Sequence, residues 1–266
     1  MDSEETKIVN QYSLASYYVE VFFNDIKLSN ATCFFTKRED KRYLITNWHV
    51  VSGKDADTLK CLDVNAAIPN KLHIYLPQKT EDNNAIFDDD FIELDLYDEE
   101  ENKVWYDMKQ NDQMIDIAVV PIKDEIEKYI LDIEDAEEPF NENVNLNIAD
   151  EIFVIGFPFG RIGGILPIWK KASVASEPSL DLNDMPYYFA DTATKSGMSG
   201  SPVILYEKRP VVIAESLQGK FSKYRTKFVG VYSGRIGANS DNKNDAQLGR
   251  VWKVDMVDKI INQFEK

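Results

Sequence analysis

A serine, a histidine and an aspartate in this sequence each stand beside a run of apolar residues. Ser199 lies in the segment GMSGSPV, His49 in TNWHVV and Asp116 in MIDIAVV. A serine hydroxyl becomes an effective nucleophile when an imidazole within hydrogen-bond reach accepts its proton. A buried carboxylate can fix the tautomer of that imidazole and stabilise the imidazolium that forms. The three segments can therefore supply a nucleophile, a base and an orienting carboxylate.

The order of the three residues excludes two of the known arrangements of this chemistry. The chain has two histidines, His49 and His73, and neither follows Ser199. An α/β-hydrolase needs its histidine after the serine. The subtilisin order needs an aspartate before His49, where Asp25 and Asp40 both fall in turn-like segments. The order histidine, aspartate, serine is the one that remains.

In this order the three segments resemble those of the chymotrypsin-like, or trypsin-fold, serine proteases, and in particular bacterial-type intracellular trypsin-like peptidases. The resemblance extends over roughly residues 15–265. It implies an all-β fold of two six-stranded antiparallel β-barrels with a C-terminal α-helix. It also implies that His49 is the base, Asp116 the orienting carboxylate and Ser199 the nucleophile. The backbone N–H groups of Gly197 and Ser199 would form the oxyanion hole, in which each donor contributes about 3 kcal/mol.

The resemblance also implies a substrate-binding pocket near the nucleophile. Its predicted lining is Ala193, Thr194, Tyr232, Ser233, Gly234 and Arg235. Ser233 would donate a hydrogen bond to the carboxylate of Asp116. Ala193 stands where trypsins carry the acid that selects lysine or arginine, so the cleavage specificity is left open. Met198 stands where they carry the aspartate that pairs with a newly cut N-terminus, so activation by such a cut is not expected.

Strand patterns dominate the chain. Short segments rich in aromatic and β-branched residues alternate with turn-forming residues, which is typical of an all-β protein. The predicted strands are 17–23, 31–37, 42–46, 72–76, 92–96, 105–108, 115–122, 149–156, 168–176, 187–191, 202–206, 210–216 and 227–233. The predicted organisation is an N-terminal extension (1–14), a first barrel (15–125), a connection (126–142) and a second barrel (143–266).

Near the end of the sequence the pattern changes to that of a helix. Val257, Ile260, Ile261 and Phe264 form one apolar stripe at helical spacing. Asp255 is predicted to cap this helix, since aspartate side chains accept hydrogen bonds from the first free N–H groups. A C-terminal helix packed on the second barrel is also what the resemblance implies.

Composition favours a globular protein without nucleic-acid or membrane partners. The 266 residues carry a net charge of −16, which opposes binding to nucleic-acid backbones or anionic lipids. No apolar run is long enough to predict a membrane span. The acidic first residues do not resemble a signal peptide, so we expect a cytoplasmic location. Cys33 and Cys61 are then expected to be free thiols. We expect neither a metal nor an organic cofactor.

Two further features are given structural interpretations. Residues 81–102 contain eleven carboxylates, no lysine or arginine and no glycine. No calcium-loop pattern occurs there, so we predict a solvated hairpin insertion. His73 lies in an alternating strand whose polar face also carries Lys71 and Tyr75. We therefore predict that His73 is a solvated surface residue.

The sequence thus predicts a serine endopeptidase that acts on protein or peptide substrates through an acyl-enzyme. An active protease in the cytoplasm would be harmful, so we expect an activating or regulatory partner, an oligomer or an activation loop to gate it. Two alternatives stay open. One is a noncatalytic trypsin-fold module that binds a peptide or a protein, and the other is an esterase on the same scaffold.

Overall fold

The structure is a computed structural model in which part of the chain is described. The described residues are 9–81, 84–122, 126–136, 145–207, 211–212, 221–222, 225–235 and 247–265. No helix within these ranges is long and apolar enough to cross a membrane.

Most of the regular structure is antiparallel β-sheet. In the first half of the chain the strands are β1 (Tyr17–Phe23), β2 (Ile26–Arg38), β3 (Lys41–Thr46), β4 (Lys71–Tyr75), β5 (Gln78–Lys79), β6 (Ala85–Ile86), β7 (Phe91–Asp95), β8 (Lys109–Gln110), β9 (Gln113–Met114) and β10 (Ala118–Ile122). In the second half they are β11 (Glu151–Gly156), β12 (Ile168–Val174), β13 (Tyr187–Asp191), β14 (Pro202–Glu207), β15 (Val211–Val212), β16 (Phe221–Ser222), β17 (Arg225–Arg235) and β18 (Leu248–Lys253). The helices are α1 (Gln11–Leu14), α2 (Trp48–Ser52), α3 (Asp255–Phe264) and one 3₁₀ turn (Ile133–Ala136).

The first half forms a six-stranded sheet in the order β10-β3-β2-β1-β4-β7. Its longest strand, β2, belongs to two parts of this sheet. The segment that ends at Cys33 pairs with β1, and the segment that begins at Phe34 pairs with β3. The sheet therefore wraps around a buried cluster made of side chains from its concave face.

The prediction of two closed barrels is wrong for this first sheet. Its end strands, β7 and β10, do not pair with each other in the described residues. Single backbone hydrogen bonds connect the region between β7 and β10 instead. Val104 N–H donates to Leu96 O (3.1 Å), and Tyr106 exchanges two backbone hydrogen bonds with Val119 (2.8 and 3.0 Å). The predicted strand 105–108 is thus reduced to one bridge, because the chain turns into the β8–β9 hairpin directly after it.

The second half forms the closed six-stranded barrel that the sequence predicted, in the order β11-β12-β13-β18-β17-β14. Alternate residues of its strands point inward, as the two-residue repeat of a strand requires. Ile152, Val154, Val203 and Val251 are fully buried in its core. Of the strand predicted over 210–216, the structure describes Val211–Val212, which pairs with β16, and the rest lies outside the described residues.

The predicted C-terminal helix is present as α3, but its N-terminus differs from the prediction. Val254 is the N-cap, and it makes no side-chain capping bond. Asp255 is the first helical residue, and its carboxylate pairs with Lys259 one turn later (2.8 Å). The cap prediction fails because Val254 already has helical dihedral angles (φ −57°, ψ −35°), so no extended residue precedes the helix.

The apolar stripe of α3 packs into the junction between the two halves. Val257, Ile260 and Ile261 are buried there in one cluster with core residues of both halves. Phe264, at the end of the stripe, is 42% exposed and stacks on Tyr106 with ring centroids 4.5 Å apart. The helix therefore connects the barrel to the sheet.

His73 is not the solvated residue that the alternating pattern predicted. Its ring lies between those of Phe22 and Phe91, with centroid distances of 4.2 Å to each. Its Nε2 lies 3.2 Å from Glu93, which also pairs with Lys71 (3.0 Å). The outer face of this sheet carries enough aromatic side chains to cover the imidazole.

The acidic segment 81–102 is only partly a solvated hairpin. It contains β6 and β7, and β7 is a strand of the main sheet. Asp89 accepts a hydrogen bond from Arg161 (2.6 Å), and Asp90 forms an ion pair with Lys128. Residues 82–83 lie outside the described residues. Basic side chains from later in the chain therefore fix part of the segment in place.

Both cysteines are free in the structure, Cys33 buried and Cys61 exposed. Burial raises the pKa of the Cys33 thiol well above its usual value, because the charged thiolate would lose its hydration.

Truncating the buried face of α3 will destabilise the whole fold. Ile260 is 0% exposed, so Ile260→Ala should lower the free energy of unfolding by about 2–5 kcal/mol. Lys259→Ala, on the exposed side of the same helix, is the matched control and should change it by less than about 0.5 kcal/mol. Urea unfolding followed by circular dichroism measures both, and equal losses would contradict the observed packing of α3.

Candidate active site

The carboxylate of Asp116 is buried and accepts three hydrogen bonds. Asp116 stands just before β10 and is 3% exposed. Its Oδ1 accepts from the backbone N–H of His49 (2.9 Å), and its Oδ2 lies 2.7 Å from His49 Nδ1. Oδ2 also accepts from the hydroxyl of Ser233 on β17, the bond that the sequence predicted. Asp116 thus joins the imidazole, which belongs to the first half, to a strand of the second half.

The two titratable groups of this pair shift each other's pKa in opposite directions. Burial alone would raise the pKa of Asp116, but the positive charge and hydrogen bonds of His49, with the bond from Ser233, lower it below its usual value. Burial alone would lower the pKa of His49, but the charge of Asp116 and its hydrogen bond raise it. The pair therefore favours an ionised carboxylate and a readily protonated imidazole.

A short helix places His49 over this carboxylate. Asn47 is the N-cap of α2, but its side chain does not cap the helix. Its Nδ2 donates instead to the backbone carbonyl of Asp116 (2.7 Å). Asn47 was not among the predicted site residues, although a polar residue directly before a helix is the expected signal of a helix start. Asn47 therefore fixes the backbone at both His49 and Asp116.

The loop that carries Ser199 is held between the two halves by Thr32 of β2. Thr32 N–H donates to the carbonyl of Ser199 (2.8 Å), and Thr32 Oγ1 donates to that of Gly197 (2.8 Å). The carbonyl of Thr32 in turn accepts from Thr46 Oγ1 (2.9 Å), three residues before His49. The nucleophile loop and the histidine are therefore positioned by the same two strands.

Two glycines allow the loop to approach these strands closely. Gly197 has φ +97°, and a Cβ built there would lie 2.2 Å from the carbonyl oxygen of Phe157. Gly200 has φ +81°, and its Cβ would lie 2.2 Å from the carbonyl oxygen of Thr32. Other residues rarely adopt such angles, and a side chain would push the loop away. Ser199 therefore depends on both neighbouring glycines for its place.

The backbone N–H groups of the loop differ in their hydrogen bonding. Those of Met198, Gly200 and Ser201 donate to the carbonyls of Lys195, Tyr232 and Met198, respectively. Within the described residues, those of Gly197 and Ser199 have no acceptor. These two N–H groups, on either side of Met198, are thus available to donate to an atom bound at Ser199.

Ser199 and His49 lie in neighbouring segments, but they are not hydrogen-bonded to each other. Among the described residues, no hydrogen bond joins His49 Nε2 to the Ser199 hydroxyl. Catalytic hydrogen bonds are often long in proteins without ligand and shorten when substrate binds. The imidazole nevertheless has its other nitrogen fixed on Asp116, which leaves Nε2 without a partner in the described part of the chain.

One of the predicted pocket residues, Tyr232, is a buried aromatic side chain. Tyr232 is 0% exposed, and its hydroxyl hydrogen-bonds to Oγ1 of the buried Thr194. Its ring lies against Gly249, where a Cβ would come within 2.3 Å of it. Ala193 is half-buried next to Thr194. Three of the predicted pocket residues, Ala193, Thr194 and Tyr232, thus carry uncharged side chains.

The other predicted pocket residues have different environments. Ser233 contacts Asp116, as described above, and a Cβ built on Gly234 would meet no atom of the described residues within 4 Å. The backbone of Arg235 ends β17, and its side chain lies outside the described residues. No group of three or more histidine, cysteine or acidic side chains that could hold a metal ion occurs in the described part of the chain.

Comparison with known families gives a match over most of the chain. A family model described as "Trypsin-like peptidase domain" matches residues 31–213. A comparison with curated proteins returned no match.

Several solved structures are similar to this chain. An inactive form of Rv3671c from M. tuberculosis H37Rv, with serine replaced by alanine at one position, is 15% identical with a TM-score of 0.48, covering 96% of this chain and 88% of that chain. The active form of the Rv3671c protease from M. tuberculosis is 14% identical with a TM-score of 0.49, covering 95% and 81%. The serine endoprotease from Yersinia pestis is 13% identical with a TM-score of 0.49, covering 97% and 67%.

The raised pKa of His49 depends on the charge of Asp116 and should fall when that charge is removed. In Asp116→Asn the burial of His49 remains, so its pKa should drop below the wild-type value. NMR titration of the ring protons measures it, and His73→Gln assigns the two signals. Glu93→Gln, which neutralises the carboxylate beside His73, is the matched control and should leave the pKa of His49 unchanged. An unaltered pKa in Asp116→Asn would contradict the described pairing.

Proposed function

Because this chain belongs to the trypsin-like peptidase domain family, it is a serine protease, and we propose that it is an endopeptidase that works through an acyl-enzyme on Ser199. The observation that carries this proposal is the Asp116–His49 pair, buried directly beside the glycine-bounded loop of Ser199. The proposed substrates are proteins or peptides.

In the proposed reaction the Ser199 hydroxyl attacks the carbonyl carbon of the scissile peptide bond. His49 Nε2 takes the hydroxyl proton, and the resulting imidazolium is stabilised by the carboxylate of Asp116. The imidazolium then gives the proton to the leaving amine as the peptide bond breaks. Water attacks the acyl-enzyme by the same route, which returns Ser199 and releases the second product.

The tetrahedral intermediate carries a negative charge on the former carbonyl oxygen. We propose that the unpaired N–H groups of Gly197 and Ser199 bind this oxygen, because the neighbouring N–H groups already donate within the loop. Each such donor contributes about 3 kcal/mol to transition-state stabilisation in serine proteases. A side chain in place of Gly197 would displace this donor.

We further propose that the site becomes fully active only when a ligand or a partner orders it. Thr32 of the first half holds the loop of Ser199 by hydrogen bonds to Gly197 and Ser199, so a partner that shifts the two halves would act on this loop, which supports the proposed gating. The identity of a regulatory partner and the cytoplasmic location stay predictions from the sequence.

The test of the proposed function is labelling with a fluorophosphonate, read by intact-mass analysis. We expect one adduct on the wild-type protein, and we expect its loss in both Ser199→Ala and His49→Ala, because attack on phosphorus needs the same activated hydroxyl. Ser201→Ala is the matched control. This serine lies two residues away and is fully buried, and its variant should still be labelled.

The labelling outcome also separates the alternatives. An adduct that persists in His49→Ala, or that maps to another serine, would refute the proposed mechanism. No adduct on the folded protein, even with added peptide and with candidate protein partners, would favour the noncatalytic binding module. Faster turnover of activated esters, with no cleavage of peptides, would favour the esterase.

A further inference from the structure

Arg250 is a half-buried cation beside the active site, and the proposed mechanism does not use it. It lies on β18 as the register partner of Gly234 on β17. The carbon of its guanidinium group lies 4.8 Å from the ring centroid of Tyr187 and 5.8 Å from that of Trp252. Aromatic faces attract cations placed over them. The two rings therefore hold the guanidinium group in a fixed position.

The present partner of Arg250 comes from the loop that follows the helix of His49. Arg250 Nη1 and Nη2 donate to the two carboxylate oxygens of Asp57 at 2.9 and 3.2 Å. The side chain of Asp57 is 65% exposed, whereas that of Arg250 is 18% exposed. Exposed ion pairs contribute little net free energy, so another carboxylate can replace Asp57. Arg250 Nε has no acceptor in the described part of the chain, which leaves one donor unused.

Among the described residues, an edge of β17 next to Ser199 is left unpaired and could accept a peptide chain. The pairing of β14 with β17 ends where Pro202 meets Val231. Directly after this point Tyr232 exchanges hydrogen bonds with Gly200 and Ser201 of the nucleophile loop. Beyond Tyr232, no described strand pairs with this edge. An extended peptide that adds to such an edge would pass directly from β17 to Ser199.

The side chains of such a peptide would come close to Arg250. A Cβ built on Gly234 meets no atom of the described residues within 4 Å, so none of these residues covers this part of β17. Side chains on neighbouring strands lie about 5 Å apart when directly opposite and about 7–8 Å apart on the diagonal. An arginine side chain spans these distances. Burial alone would lower the pKa of Arg250, but Asp57, Tyr187 and the nearby charge of Asp116 raise it, so the group is a permanent cation.

We propose that Arg250 selects an aspartate or glutamate side chain of the substrate, located a few residues before the scissile bond, whose carboxylate replaces that of Asp57. This inference rests on the proposed function, since it assumes that a peptide binds along β17. The planar fork of arginine matches a carboxylate with two parallel hydrogen bonds. The pairing with Asp57 already has this geometry, so the carboxylate of the substrate would enter a preformed site.

The test measures peptide binding without cleavage, in the Ser199→Ala protein. Fluorescent peptide pools, otherwise of random sequence, carry either aspartate or asparagine at one fixed position, and their affinities are compared by fluorescence anisotropy. At one of the fixed positions we expect the aspartate pool to bind about tenfold more tightly, a difference of about 1.4 kcal/mol. At the other positions we expect no difference.

Two further substitutions assign the effect to Arg250. In the Ser199→Ala background, Arg250→Met should abolish the preference and leave the affinity for the asparagine pool unchanged. Asp57→Asn removes the competing carboxylate from an exposed position, so folding is not at risk. It should increase the affinity for the aspartate pool several-fold and leave that for the asparagine pool unchanged.

Three outcomes would overturn the proposal. They are equal binding of both pools at every position, a preference that survives in Arg250→Met, and no peptide binding at millimolar concentrations. If Arg250→Met does not fold, Asp57→Asn provides the test. An unchanged preference for the aspartate pool in that variant would contradict the proposal. Fluorophosphonate labelling of the wild-type protein tests Ser199 separately. A labelled protein without acidic preference would therefore refute only the role of Arg250.

Discussion

The structure depends most on one buried negative charge. The carboxylate of Asp116 has little contact with water, and an isolated buried charge would be strongly destabilising. Its donors come from both halves of the chain, two from His49 and one from Ser233. The barrel and the sheet must therefore dock together for this charge to be satisfied. The same docking brings His49 to the loop of Ser199. The stability of the fold and the proposed chemistry therefore both depend on the contact between Asp116 and its donors.

A second junction fixes the nucleophile itself. Thr32 is 0% exposed, and through its side chain and backbone it contacts Gly197, Ser199, Thr46 and Phe157. These contacts join the loop of the second half to the strand that leads to His49. Since glycine lets the loop backbone lie against Thr32, small changes in the relative position of the halves would act directly on the proposed oxyanion donors. This coupling gives a physical route for the gating that we propose.

The sequence predicted those parts of the site whose chemistry is local. Asp116 stood out among many acids because it precedes an apolar strand, and Ser233 was predicted from the resemblance. Asn47 and Thr32 were missed because their roles consist of hydrogen bonds to residues distant in the sequence, which neither residue type nor spacing reveals. For the same reason Arg250 could not be identified from the sequence. Its importance comes from the register between β17 and β18.

Predictions of the fold succeeded where strands alternate regularly, as in the closed barrel. They failed where a non-local contact decides the outcome. The first sheet stays open because the chain after β7 turns twice before β10 and leaves only single bridges. His73 is covered because Phe22 and Phe91 come from two other strands, and alternation within its own strand carries no information about them.

The central claim is that His49 Nε2 accepts the proton of the Ser199 hydroxyl while the N–H groups of Gly197 and Ser199 bind the oxyanion. A crystal structure of the protein with a phosphonate bound covalently to Ser199 tests this most directly. We predict that the phosphonyl oxygen lies about 2.7–3.1 Å from both backbone nitrogens and that His49 Nε2 lies within hydrogen-bond distance of Ser199 Oγ. An adduct whose oxygen points away from both nitrogens, or an imidazole that stays out of reach of Ser199, would contradict the account.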